Sequence, residues 1–206
     1  RTLSPAGRRS SPMRPVAGKA ELEPLARSAG LLVVEAACHA LGGKDAGGAT
    51  VGACRRSDAA AFSFHPVKTI AAGEGGMVTT ADPARAERIR RLANHGVVRE
   101  RELLQSPSLS LDEDGQVNPW SYELAELGFK YSMNDMEAAL GLSQLGKLER
   151  FVRRRRELAA LYDLALKPLA PVVTPVSAPA DQSPALHLYQ VQIDFDGAGV
   201  SRATVM

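Results

Sequence analysis

A serine and a lysine five positions apart precede a glycine-rich turn, in the segment Phe62-Ser63-Phe64-His65-Pro66-Val67-Lys68-Thr69-Ile70 followed by Gly73-Glu74-Gly75-Gly76. A lysine just past an apolar strand is poorly solvated, which favours its neutral, nucleophilic amine. The serine hydroxyl and the backbone N–H groups of the turn suit a phosphate, and glycine lets the backbone approach a flat ligand. These residue types permit a Schiff base beside a bound phosphate, but a lysine at the end of a strand is more often a surface residue whose stem lies along the protein.

The first half of the chain has the pattern of an α/β domain. A helix is predicted over 21–28, closed by Gly30, and an apolar strand buried on both faces over 31–34. Further strands are predicted over 59–64 and 77–80. Asp82-Pro83 then predicts a helix that runs to about Asn94, because aspartate is a good N-cap and proline suits the first helical position.

The second half predicts a surface loop over 106–119 and then helix. Apolar residues at helical spacing predict one long helix, or two with a kink, from about Ser132 to Leu166. The basic run 153–156 lies in it and is interpreted as a solvated face, with Glu149 and Glu157 pairing with Arg153. A proline-rich linker follows over 168–184, and a strand over 187–195.

Composition places the chain among ordinary folded proteins. Its 206 residues are 45% hydrophobic and only 5% aromatic, so aliphatic side chains and alanine must fill the core. A net charge of +2 gives no reason to expect nucleic acid as a partner, and no apolar run reaches the ~18 residues of a membrane span. Cys38 and Cys54 lack metal-ligand spacing and are expected to be reduced, inert thiols.

The two ends of the chain have unusual compositions. Residues 1–15 are rich in Arg, Ser and Pro and contain no acid, which predicts a disordered leader, with a transit peptide as the alternative. Beyond the proline-rich linker only some twenty residues remain, too few for a core of their own. We therefore expect the chain to be a fragment.

Several segments together resemble the DegT/StrS family of sugar aminotransferases. The lysine segment and Gly-Glu-Gly-Gly-Met-Val-x-Thr resemble the signature of that family, and the resemblance covers about residues 16–206. The other matching segments are Val33-Val34-Glu35-Ala36-Ala37-Cys38-His39-Ala40-Leu41-Gly42, Asn94-His95-Gly96, Pro119-Trp120, Glu126-Leu127-Gly128-Phe129, Tyr131, Met133, Asp135, Ala138-Ala139-Leu140-Gly141, Gln144-Leu145 and His187-Leu188-Tyr189.

The resemblance implies an α/β fold, that of the fold type I pyridoxal-phosphate (PLP) enzymes, with a mainly parallel sheet between helices. It implies that 16–130 is part of the PLP-binding large domain, 131–167 a long helical connection, and 168–206 a linker and the start of a small C-terminal α/β domain. It also implies a cytoplasmic homodimer with its site at the interface.

The resemblance further implies a role for three residues. Lys68 would form the Schiff base with PLP and then act as general base and acid, Ser63 would bind the cofactor phosphate, and His39 would lie against the pyridine ring and its 3-oxygen. Glutamate would donate the amino group to a nucleotide-linked keto sugar. Within the family, the wording around Lys68 most resembles transaminases that make UDP-4-amino-4,6-dideoxy-N-acetyl-altrosamine.

The chain departs from the family pattern at cofactor-binding positions. Ala36 stands where the family has the Asp that pairs with the pyridine nitrogen, and Glu35 next to it points to the opposite face of a strand. Lys130 replaces an Asn that reaches the partner subunit's cofactor phosphate; as a point charge it can still meet a phosphate. Ser132 replaces a family Arg.

These departures leave two functions open. The first is the aminotransferase, and the second is an inactive remnant that at most dimerises, favoured by Ala36, Lys130 and the missing family segments. An unrelated nucleotide-binding domain is disfavoured because no Gly-x-Gly-x-x-Gly follows a strand. His65 and His95 are interpreted as structural, and His187 as a domain-packing residue.

Overall fold

The computed structural model describes residues 19–205, so the leader predicted over 1–15 lies outside the described residues. Short 3-10 helices cover Arg101–Leu103 and Lys167–Leu169. The α-helices are α1 (Lys19–Ser28), α2 (Pro83–Ala93), α3 (Pro107–Ser110), α4 (Asp135–Leu145), α5 (Leu148–Leu166), α6 (Phe195–Ala198) and α7 (Arg202–Val205). The strands are β1 (Val34–Ala36), β2 (Ala59–Ser63), β3 (Gly76–Thr79), β4 (Val97–Val98), β5 (Glu123–Leu124), β6 (Val173–Pro175) and β7 (Val191–Ile193).

The chain forms two compact units. The first combines Arg1–Thr79 with Asp135–Met206, and the second is Thr80–Asn134. The lysine segment belongs to the first unit, and the helix that Asp82 begins belongs to the second. The domain boundaries expected from the family resemblance stay predictions.

The first unit contains a three-stranded sheet in the order β1-β2-β3. β1 lies parallel to β2, with Val34 opposite Ala59, and β2 lies antiparallel to β3, with Ser63 opposite Gly76. The two central strand predictions are confirmed, and so is the α/β class. The sheet is mixed rather than mainly parallel, because residues 64–75 join β2 to β3 without a crossover helix and β3 returns antiparallel beside β2.

The prediction of a strand buried on both faces over 31–34 is wrong. β1 begins only at Val34, and the side chains of Leu32 and Val34 are 68% and 64% exposed. β1 is an edge strand with β2 as its neighbour, and Asp58 accepts a hydrogen bond from the Val33 N–H at 2.8 Å. An apolar run of this kind is typical of a strand that is buried on both faces. In the described part of the chain, however, no element packs over Leu32 and Val34.

The core of the first unit is built largely from small side chains, as the composition predicts. Ala60 is completely buried at the centre of β2, and Phe62 and Phe64 supply its aromatic bulk. The buried apolar residues of this unit are Ala37, Ala49, Val51, Ala59, Ala60, Phe62, Phe64, Ile70, Ala72, Val152 and Ala185.

The long helical segment is two helices, the second of the alternatives left open, because α4 ends at Leu145 and α5 begins at Leu148. The interpretation of the basic run as a solvated face is wrong for Arg155, which is half-buried, whereas Arg156 is exposed although it also contacts the linker. Arg155 donates to the His187 carbonyl at 2.9 Å, and Arg156 donates to the Ser183 and Pro184 carbonyls at 3.1 and 3.2 Å. The two guanidinium groups therefore tie the backbone of residues 183–187 to α5.

The proline-rich linker is not without structure. β6 lies inside it and pairs antiparallel with β7, with Thr174 opposite Gln192. Pro175 ends β6 where a two-stranded sheet leaves an edge free, which is the position that proline tolerates in strands. The strand predicted over 187–195 shortens to β7.

In the second unit, Asp82 caps α2 as predicted, accepting from the Ala84 and Arg85 N–H groups at 2.9 and 3.2 Å. The chain reverses after α2 at Gly96, where φ is +76° and the Gly96 N–H donates to the Arg91 carbonyl at 2.8 Å. Within the loop predicted over 106–119, α3 is the one helix.

Two further features concern the described residues only. Across residues 19–205, no helix combines the length and the apolar character needed to cross a membrane. The same residues contain no group of three or more His, Cys, Asp or Glu side chains placed to hold a metal ion.

Candidate active site

Lys68 lies in the turn between β2 and β3. The turn is closed by backbone hydrogen bonds from the Lys68 N–H to the His65 carbonyl and from the Phe64 N–H to the Gly75 carbonyl, both 2.9 Å long. Gly76 faces the β2 backbone so closely that a Cβ atom there would lie 2.5 Å from the Phe62 oxygen. The glycine-rich sequence therefore lets β3 return directly against β2 and fixes the backbone that carries the lysine.

The amine of Lys68 meets a histidine that the sequence had singled out. Lys68 Nζ lies 2.6 Å from His39 Nε2, and both side chains are half-buried. His39 follows β1, in a turn fixed by the Ala40 N–H bond to the Ala37 carbonyl. Burial, and then the positive charge of Lys68, lower the pKa of His39 below its ordinary 6.5, which favours a neutral imidazole that accepts a hydrogen bond from the Lys68 ammonium.

His187 completes a cluster of three bases, although the sequence suggested only a packing role for it. Its ring lies 4.5 Å from that of His39, centroid to centroid, at an interplanar angle of 37°. Burial is the main cause that lowers the pKa of His187, and His39, Lys68 and Arg155 add to it. The Nδ1 atoms of His39 and His187 are buried and have no hydrogen-bond partner.

Ser63 and Ala36 lie on the same face of the sheet. Ala36 pairs with Ala61 in the parallel β1–β2 ladder, and Ser63 is two positions beyond Ala61, so the three side chains project to one side. Ser63 Oγ accepts a 3.4 Å hydrogen bond from the His65 N–H. The serine hydroxyl therefore faces the turn that carries Lys68, and an exposed methyl group stands at Ala36.

Glu35 does not take the place of the missing carboxylate. Its Oε1 accepts a 2.7 Å hydrogen bond from the buried Ser57 hydroxyl, on the face opposite Ala36. In the register of β1 against β2, Glu35 pairs with Ala60 and Ala36 pairs with Ala61. The strand is therefore not shifted by the one residue that would bring Glu35 to the Ser63 face. The expectation that neighbouring strand residues point apart is confirmed.

Lys130 lies in the second unit and contacts its own neighbours. Its Nζ donates to the Ser132 hydroxyl at 2.6 Å, and its backbone bridges that of Asn94. Both positions depart from the family pattern, and in this chain they contact each other.

The residues of the first unit fit one end of a PLP molecule. The half-buried amine of Lys68 can bond its carbonyl carbon, the unpartnered Nδ1 of His39 can meet a ring oxygen, and Ser63 offers a hydroxyl to a phosphate. Ala36 offers nothing to a pyridine nitrogen. Lys68, Ser63 and His39 would thus hold the group, without a carboxylate partner at Ala36.

Comparisons with known proteins agree with this geometry. Residues 17–206 match the model of the DegT/DnrJ/EryC1/StrS aminotransferase family. The spore coat polysaccharide biosynthesis protein SpsC of Bacillus subtilis is 37% identical over 184 residues, which are 88% of this chain and 43% of SpsC. The chain thus spans less than half the length of the curated relatives it matches.

Solved structures give the same fold. PseC of Helicobacter pylori, an aminotransferase of pseudaminic acid biosynthesis, superposes with a TM-score of 0.74 at 26% identity, covering 88% of this chain and 43% of PseC. DesI, solved with its TDP-sugar product, superposes with a TM-score of 0.73 at 32% identity, covering 94% of this chain and 43% of DesI. The fold is that of the fold type I PLP aminotransferases. On the strength of a family match that spans nearly every described residue, the chain belongs to the DegT/DnrJ/EryC1/StrS aminotransferase family.

Proposed function

We propose that this chain is part of an enzyme that transfers an amino group to a nucleotide-linked keto sugar, with Lys68 as the lysine that bonds PLP. The observation that carries the proposal is the 2.6 Å contact between Lys68 Nζ and His39 Nε2, on a turn that Gly76 holds against β2. An amine with a neutral imidazole as its hydrogen-bond acceptor has a nearby base for its proton, which a carbonyl-bonding lysine needs.

The geometry of the first unit supports a proposed division of labour among its residues. PLP, when bound, supplies an electron sink for the carbon that loses or gains the amino group. Lys68 holds the cofactor carbonyl and moves the proton, His39 accepts from the lysine amine and orients a ring oxygen, and Ser63 binds the phosphate. A desolvated site strengthens each of these contacts relative to water.

The sugar substrate is proposed from the relatives. SpsC is a polysaccharide biosynthesis protein, PseC acts in pseudaminic acid biosynthesis and DesI was solved with a TDP-sugar product. We expect a 4-keto sugar nucleotide as acceptor and glutamate as donor, for a surface polysaccharide or glycan precursor. A cytoplasmic homodimer remains our prediction for the assembly.

The second candidate is a catalytically inactive relative that serves as a dimerisation or structural unit. The observation that favours it is Ala36, because Glu35 is occupied by Ser57 and no carboxylate stands on the Ser63 face of β1. Without a negative partner, a protonated pyridine nitrogen is less stable, and the cofactor is a weaker electron sink.

The first test is PLP binding by the purified chain. We expect an absorbance band near ~420 nm from protein-bound cofactor, retention of the cofactor mass on the Lys68 peptide after borohydride reduction, and loss of both in Lys68→Ala. Lys44→Ala, which removes an exposed lysine of the same unit, is the matched control and keeps both signals. Absence of the band from the unmodified chain would favour the inactive candidate.

A further inference from the structure

The contacts of His187 go beyond what the proposed function uses. Its ring packs on His39 at 4.5 Å, yet it lies about 150 positions away along the chain. Arg155 of α5 holds the backbone there, donating to the His187 carbonyl at 2.9 Å and the Leu186 carbonyl at 3.4 Å. Leu186 has φ of +52°, so the backbone turns at this point. A rigid helix therefore fixes where the His187 ring lies.

His39 has only one orientation that suits these neighbours. Its Nε2 accepts from the Lys68 amine, so the single proton of the neutral ring is on Nδ1. The charged and titratable groups that face the His187 ring are His39, Lys68 and Arg155, and all of them are bases. Lys68 and Arg155 are already positive, so a further positive charge on either imidazole is costly and the neutral rings are favoured.

An imidazole that bonds through one nitrogen only can swing about its Cα–Cβ and Cβ–Cγ bonds. The His187 ring blocks rotation of the His39 ring toward it, because tilted aromatic rings at this separation are in van der Waals contact. The His39 Nδ1–H is meanwhile buried without an acceptor, so it is available to a ligand.

We propose that His187 is a positioning residue: it holds His39 in the Nδ1–H tautomer, with Nε2 on the Lys68 amine and the Nδ1–H free to donate to a ligand oxygen. The identity of that ligand rests on the proposed function, whereas the position of the ring does not. The packing face of His187, rather than its nitrogens, performs this role, so another flat ring can replace it.

Nitrogen-15 NMR of the imidazole rings tests the proposal without any cofactor. The chain has four histidines, so assignment by single substitutions is practical. In the unmodified chain, we expect His39 to show one tautomer, protonated at Nδ1, and to titrate below 6.5. In His187→Ala, we expect a mixture of both tautomers and a His39 pKa that moves up toward 6.5.

Two further variants separate packing from folding. His187→Phe keeps a flat ring and should retain the single His39 tautomer, whereas Arg155→Gln loosens the backbone and should shift His39 in the direction of His187→Ala. Leu188→Ala, an exposed neighbour, is the control and leaves His39 unchanged. If His187→Ala does not fold, the His39 spectrum of Arg155→Gln tests the proposal in its place.

Two results would overturn the proposal. One is a His39 spectrum that is the same in His187→Ala, Arg155→Gln and the unmodified chain. The other is a His187→Phe variant that behaves like His187→Ala. Failure of the PLP absorbance test with the expected NMR result would reject the proposed function alone.

Discussion

The cluster around Lys68 and the ion pairs around Glu126 handle charge in opposite ways. In the second unit, Glu126 bonds Arg91 at 2.8 Å and Arg88 at 3.4 Å, and the Arg91 hydrogen bond is the main cause that lowers its pKa. In the first unit, Lys68 contacts His39, the His187 ring packs on His39, and burial lowers the pKa of both imidazoles. Paired charges fix the shape of a loop, whereas unpaired polar atoms are available for a ligand. The difference locates the candidate site in the first unit.

The largest expected effect breaks the second unit. In Gly96→Ala, the new Cβ would overlap the Glu126 carbonyl oxygen, at a φ of +76°. We expect a loss of about 3 kcal/mol or more in unfolding free energy. Urea unfolding followed by fluorescence of Trp120, the single tryptophan, measures it.

The matched control for that substitution is Gly115→Ala, in the same unit and at a similar φ of +75°. A Cβ there meets nothing closer than 3.6 Å, so only the backbone strain remains and unfolding free energy should fall by about 1 kcal/mol. Equal effects of the two substitutions would contradict the close approach of Gly96 to the Glu126 backbone.

The second prediction gives the first unit the carboxylate that it lacks. Ala36→Asp places an acid on the Ser63 face of β1, and a charge-assisted hydrogen bond to a pyridine nitrogen should tighten PLP binding about tenfold. Absorbance titration with PLP measures it. Ala36→Asn has nearly the same shape without the charge and should gain little; an equal gain in both variants would show that charge is not the cause.

The third prediction concerns acid. The pKa values of His39 and His187 are below 6.5 in the folded chain, so the unfolded chain binds more protons below that pH. This unit should therefore lose stability as the pH falls from 7 through 6.5. The pKa values of Glu123 and Glu126 are lowered below 4.5. Their contribution to the stability of the second unit is therefore present above pH 4.5 and is lost only as the pH falls below that value.

Hydrogen exchange and fluorescence separate these two pH windows. As the pH is lowered, amide protection in β2 should fall first, from about pH 6.5 downward, where the unfolded chain's histidines take up protons. The fluorescence of Trp120 should change only below pH 4.5. Simultaneous changes in both signals would show that the histidines do not control the acid sensitivity of the first unit.

The smallest expected effect belongs to the surface of α5. Arg154 pairs with Glu157 at 3.0 Å, and both side chains are at least half exposed. Arg154→Gln should cost about 0.3–0.5 kcal/mol, and less in high salt. Urea unfolding with β2 amide protection as readout checks this, and Arg155→Gln, which removes the contacts to the His187 segment, should cost more.

Local rules predicted the parts of this molecule that neighbouring residues decide. Asp82 caps its helix, and the glycine-rich turn joins β2 to β3, because each depends on residues only a few positions apart. The family resemblance singled out both His39 and Lys68, but it did not predict their direct contact. The site roles of Lys68, Ser63, His39, Ala36 and Lys130 stay predictions until a ligand is bound.

Other features depend on distant parts of the chain. His187 and Arg155 were interpreted as packing and solvated residues because their partners come from another segment. β6 was missed because proline is scarce in central strands, although an edge tolerates it. The exposure of Leu32 could not follow from its apolar type, since burial depends on which element covers a face.

The long separation between His39 and His187 also sets an order of events as the chain folds. The β2–β3 hairpin closes over a short loop, whereas the histidine pair closes a loop of about 150 residues, which costs more chain entropy. During synthesis, Lys68 therefore emerges and enters its hairpin well before His187 exists. The His187 ring therefore reaches His39 only after the lysine hairpin can form, and an earlier intermediate holds Lys68 beside a His39 ring that is not yet packed.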